Sequence, residues 1–182
     1  MKKWIFSPFR FVAGEKALII GWAVMIATAC IAFFNNAHFD GAIDVHVGRI
    51  SSFPLYFLEQ FIVWGSVVLI FYFIGRLFSN TSVRFIDVAG TMALARWPMI
   101  FVALISFAEP SDLLINPIST AAILVALSSL PFIVWMIALM YSAFIISCNM
   151  KGGRATGLFI LALVLSEVLS KILFYLIFTH TT

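Results

Sequence analysis

Five charged residues fall within or close to the long apolar runs of this 182-residue chain: Glu59, Asp87, Arg96, Glu167 and Lys171. A charge at bilayer depth is costly and normally faces protein or water, so each of these needs a partner. Glu167 and Lys171 are four residues apart, on one helix face, with the acid amino-terminal to the base. That is the favourable order for an ion pair; the other use of the same two groups is a proton or ion relay. Asp87 and Arg96 are nine residues apart, two and a half helical turns, so they point to opposite sides of one helix and must find separate partners. Asp87 lies at the start of its run, where a carboxylate suits the positive end of a helix. Arg96 lies deeper, and by depth its better carboxylate partner is Glu167 rather than Glu59.

A second group, His38, Asp40, Asp44 and His46, has the spacing H-x-D-x-x-x-D-x-H. Imidazole and carboxylate suit zinc or another divalent cation, but this spacing follows no established metal motif. Between the four stand Phe39, Ala42, Ile43, Val45 and Val47, and apolar residues at these positions predict a loop that packs onto the protein. No metal or other cofactor is assigned. There is no GxSxG, no HExxH and no phosphate-binding glycine loop, so the chain is not read as an enzyme.

The elements that must position these residues follow from composition. The chain is 63% hydrophobic and 10% charged, with a mean hydropathy of +1.11, whereas a soluble domain is about 45–50% apolar and about 25% charged. It is therefore read as an integral membrane protein whose principal partner is the lipid bilayer. Self-association or contact with other membrane proteins is open. The basic residues are scattered in ones and twos, which excludes a nucleic-acid footprint.

Residues 1–16 form an amphipathic basic segment suited to the membrane interface, and residues 17–182 a single domain of five transmembrane helices, an all-α bundle. The spans are predicted at about 17–34, 54–78, 86–108, 119–149 and 155–178. The third, with its charges and a Trp97–Pro98 step, is the least lipid-like and is expected at the centre. The fourth, at about 1.5 Å per residue, exceeds the roughly 30 Å hydrocarbon core, and Pro131 within it predicts a kink. Residues 150–154 read as a glycine-rich basic turn.

Lys2, Lys3, Arg10, Lys16, Arg76, Arg84, Lys151 and Arg154 fall on one side of the membrane. The other side has Arg49 against Asp40, Asp44, Glu109 and Asp112. The positive-inside rule then puts the amino terminus in the cytoplasm and the carboxyl terminus outside. Cys30 and Cys148 fall near opposite membrane faces and are expected to be free thiols.

The Ser7-Pro8-Phe9-Arg10-Phe11 stretch, the five spans, and a third span with Ala89-Gly90-Thr91, Ala95-Arg96 and Pro98 resemble the bacterial branch of the Yip1 family. The resemblance implies a five-span protein with a cytosolic amino terminus, here in the bacterial inner membrane. Eukaryotic relatives bind Rab GTPases through a longer amino-terminal region. About sixteen residues precede the first span here, so that property is not carried over. The leading expectation is a non-enzymatic bundle that scaffolds membrane partners or organises the bilayer. The alternative is a small transporter or channel lined by the intramembrane charges.

Overall fold

The computed structural model describes residues 7–48, 52–108 and 120–179. The expectations placed on Lys2, Lys3, Arg49, Glu109 and Asp112 lie outside the described residues. The apolar runs form helices α1 (Gly14–Asn35), α2 (Phe53–Phe78), α3 (Phe85–Ala95), α4 (Met99–Ile105), α5 (Thr120–Ser147) and α6 (Gly152–Thr179). A 3₁₀ turn, Ser106–Ala108, prolongs α4. With α3 and α4 counted as one span, five helices are long and apolar enough to cross a membrane. The chain is a multi-pass helical membrane protein.

The third span is the centre of the bundle. Of its most apolar window 72% is buried, against 22 to 44% in the other four, and every residue from Val88 to Ala95 is buried. Lipid tails are as apolar as the helices, so burial alone does not drive these helices together; close packing and hydrogen bonds do. The α1–α3 contact is the most extensive and runs backbone to backbone. A Cβ at Gly21 would lie 2.5 Å from the backbone of Ala93 and Leu94, and one at Gly90 would strike the Gly14 carbonyl oxygen. Hydrogen bonds fix the other faces of α3: Trp64 Nε1 donates to the Ala89 carbonyl at 3.1 Å, and the Thr91 and Ser147 hydroxyls are 2.9 Å apart. Helix α6 is peripheral, packing mainly on α2.

The helix break falls in the third span. Pro98 has no N–H to give Leu94, so the chain tightens to three-residue bonds: Arg96 N–H to Ala93 O at 3.3 Å, Trp97 N–H to Leu94 O at 3.2 Å, and Met99 N–H to Arg96 O at 2.9 Å. By contrast α5 runs as one helix from Thr120 to Ser147 through Pro131. Gly152 and Gly153, expected in a turn, open α6 instead. The described part of the amino-terminal segment packs onto the bundle. Pro8–Arg10 form a 3₁₀ turn that buries Phe9, and the Ser142 hydroxyl donates to that of Ser7 at 3.1 Å. Both cysteines are free thiols.

Candidate functional site

The loop between α1 and α2 enters the end of the bundle as a small hairpin. Strands β1 (Ala37–His38) and β2 (His46–Val47) pair antiparallel, with Ala37 opposite Val47 and His38 opposite His46. A two-stranded ribbon this short has little stability of its own; side chains from three spans hold it. Ala37, Phe39 and Ala42 are fully buried, as the apolar residues of the loop predicted. Asn35 starts the turn, its side chain accepting from Ala37 N–H at 3.0 Å and donating to the Ala103 carbonyl of α4.

Four of the five intramembrane charges converge on this hairpin. On α2, buried Glu59 takes His38 Nδ1 at 2.6 Å on Oε1 and Phe39 N–H at 3.1 Å on Oε2. The His38 ring is stacked between Tyr56, 4.9 Å away, and His46, 5.5 Å away. On the third span, Arg96, only 2% exposed, donates from Nη1 to the Ala42 carbonyl at 3.1 Å. On α6, Glu167 accepts the Ile43 N–H at 3.1 Å. Those last two bonds involve one peptide unit, the trans group joining Ala42 to Ile43. Its oxygen faces the guanidinium and its N–H faces the carboxylate, so each bond polarises the other through the amide. Gly41 makes room for the arrangement, since a Cβ there would collide with Glu167 Oε1.

Arg96 and Glu167 are therefore linked through backbone. Among the described residues no carboxylate oxygen is within 4.0 Å of the guanidinium, though Glu167 still acts on it through space. The Arg96 Nε is buried with no hydrogen-bond partner among the described residues. The ion pair expected between Glu167 and Lys171 is not formed. Lys171 Nζ instead spans two hairpin carboxylates, Asp40 at 2.9 Å and Asp44 at 2.5 Å, because both side chains of α6 face the hairpin and its acids are the nearer anions.

Asp40, Asp44 and His46 bring one ligand atom each within 4.8 Å of one another, which is metal-ligand spacing. The Lys171 ammonium already lies between the two carboxylates and supplies the cation the cluster calls for. His38 is not in this cluster; it turns the other way, to Glu59. Burial pushes the Asp40 carboxyl up, but His46 and Lys171 beside it outweigh burial and hold it down at about 2, against an ordinary 3.8. A crevice of about 180 Å³ remains between the hairpin and helices α4 and α5, with His46, Ser106 and Ser129 on its walls.

Asp87 stands apart, at the opposite end of the bundle. It occupies the first turn of α3, as its position at the start of the run predicted, without a side-chain capping bond. Its carboxylate is 3.8 Å from Arg84 Nε, at the end of the helix where a negative charge meets the helix dipole favourably. Sequence reasoning missed the receiving atoms, which belong to the backbone at Phe39, Ala42 and Ile43. One signal was present for Tyr56: it is three residues before Glu59, on the same face, and that face of α2 continues through Gln60 and Val63, all buried. The class defined by the fold and this site is a polytopic helical bundle with a charge-clamped hairpin plug. No protein-family model, curated protein or solved structure matches the chain.

Proposed function

We propose that this is a non-enzymatic, Yip1-like membrane protein that organises membrane partners or the bilayer on a fixed helical platform. One observation carries the reading. Glu59, Arg96, Glu167 and Lys171 are each committed to an atom of the hairpin, so the charges that could have lined a path brace the fold. The bundle then offers its apolar sides, with Leu127 of α5 and Val164 of α6 among the exposed residues, to lipid, to other membrane proteins or to a second copy. The distribution of Lys and Arg supports an amino terminus in the cytoplasm and a hairpin on the far side of the membrane, and the Yip1 resemblance suggests the bacterial inner membrane.

A photo-crosslinker at Leu127 or Val164 should give discrete protein adducts in intact membranes, and proteoliposomes should show no solute or proton flux that depends on Glu167. The transport reading draws on the crevice of about 180 Å³ between the hairpin and helices α4 and α5. A flux abolished by both Glu167→Gln and Arg96→Ala, in variants that remain folded, would replace the scaffold with that reading.

A further inference from the structure

At the end of the bundle away from the hairpin, a cleft of about 320 Å³ opens between the α2–α3 turn and the α5–α6 turn. We infer that it binds the phosphate of an anionic phospholipid headgroup. The inference needs only that α2 and α6 cross a bilayer, and it stands whether or not the protein is a scaffold.

Charge is the first argument. Lys151 and Arg154 line the cleft together with Ser79, Asn80 and Asn149, and no carboxylate lines it. Among the described residues neither cation is in an ion pair, unlike Lys171 at the other end. Position is the second. Helix α2 ends at Phe78 and α6 begins at Gly152, so the cleft is level with the ends of two apolar helices, the depth at which lipid phosphates lie. Basic pockets between spans at that depth suit anionic headgroups.

The cleft is also built to hold its shape. The Ser79 hydroxyl donates to the Cys148 carbonyl at 2.7 Å, tying one turn to the other. Met150 N–H closes its own turn on the Ile145 carbonyl at 3.1 Å. The Arg154 guanidinium is over the Phe78 ring, 5.8 Å from its centre, which steadies the plane while leaving its N–H edges for an oxyanion. The asparagine amides and the first N–H groups of α6 add uncharged donors. A phosphodiester presents two anionic oxygens to this set. A choline headgroup would bring a third cation to the two already present, so the cleft selects anionic over zwitterionic lipid.

The test is native mass spectrometry of the full chain released from detergent with phosphatidylglycerol or phosphatidylcholine added at equal concentration. One phosphatidylglycerol should be retained in preference to phosphatidylcholine. In the Lys151→Ala/Arg154→Ala variant that preference should fall about 10- to 30-fold, as expected for two lost phosphate contacts. The Lys151→Arg/Arg154→Lys variant should keep most of it, which separates charge from fold. Equal retention of the two lipids, or a preference unchanged in the double alanine variant of unaltered circular dichroism, would overturn the inference. Displacement of the lipid by millimolar glycerol phosphate would overturn the lipid as the source and assign the cleft to a soluble phosphate.

Discussion

The two ends of the bundle solve the problem of polar groups near a membrane in opposite ways. At the hairpin end, four charges from three spans are turned inward and used on one another's behalf through a backbone loop. At the other end, helices α1 and α3 meet backbone to backbone at Gly21 and Gly90, and the charges there, Arg84, Asp87, Lys151 and Arg154, stay at the periphery. The difference shows what each kind of contact can do. Small-residue packing joins helices that already run side by side. It cannot hold an irregular loop, whose free N–H and C=O groups need donors and acceptors where water is scarce. Charged side chains reaching from neighbouring helices supply them.

This contrast predicts where substitution hurts. Arg96→Ala should be the most damaging, because it strands the Ala42 carbonyl and leaves Glu167 without its through-space cation; loss of a buried charge partner costs about 3–5 kcal/mol. Unfolding by titration with a denaturing detergent measures it, and a loss below about 1 kcal/mol would contradict the clamp. Gly90→Val comes next. It forces a side chain against the Gly14 carbonyl, and overpacking of this kind costs about 1–3 kcal/mol. The same measurement should show the loss while leaving the hairpin contacts intact.

Acid should weaken the hairpin end through Asp40. Asp40 is held at about 2, below its ordinary 3.8. A depressed carboxyl contributes stability that is present above the unfolded value and lost as the proton binds. The hairpin should therefore loosen as pH falls from 3.8 towards 2, and Asp40→Asn should remove that part of the pH dependence. Fluorescence from a probe on the hairpin would follow it. Least sensitive is Asp87→Asn, which loses a helix-dipole interaction worth about 0.3–1 kcal/mol at a partly exposed site. A larger effect would mean that the turn end relies on charge as the hairpin end does.

Much of this architecture is legible in the sequence, and the omissions have physical causes. Apolar runs located the five spans to within a few residues, and the charges in the third marked it as the central one. The sequence predicts a kink at Pro131 and presents Pro98 only as part of a Trp97–Pro98 step in the least lipid-like span. The helix through Pro131 nevertheless continues, whereas the third span breaks at Pro98, where Arg96, two residues earlier, donates to the Ala42 carbonyl. That outcome depends on a loop lying far away in sequence. The charge partners were hidden for a related reason. Matching acids to bases by depth brings Arg96 to Glu167, but the bonds run to a peptide between them, and a peptide leaves no mark in a sequence. Lys171 was assigned to the acid four residues away on its own helix; two acids of the hairpin compete for it and win.

The central claim is that side chains of α2, the third span and α6 hold the hairpin by its backbone. Residue-resolved hydrogen exchange of the Phe39 and Ile43 amides tests it most directly, since each donates to a single carboxylate. Both amides should be strongly protected in the wild-type protein. Glu59→Ala should release Phe39 more than Ile43, and Glu167→Ala should release Ile43 more than Phe39. Exchange of both amides at free-peptide rates in the wild-type protein, or equal release in the two variants, would contradict the clamp.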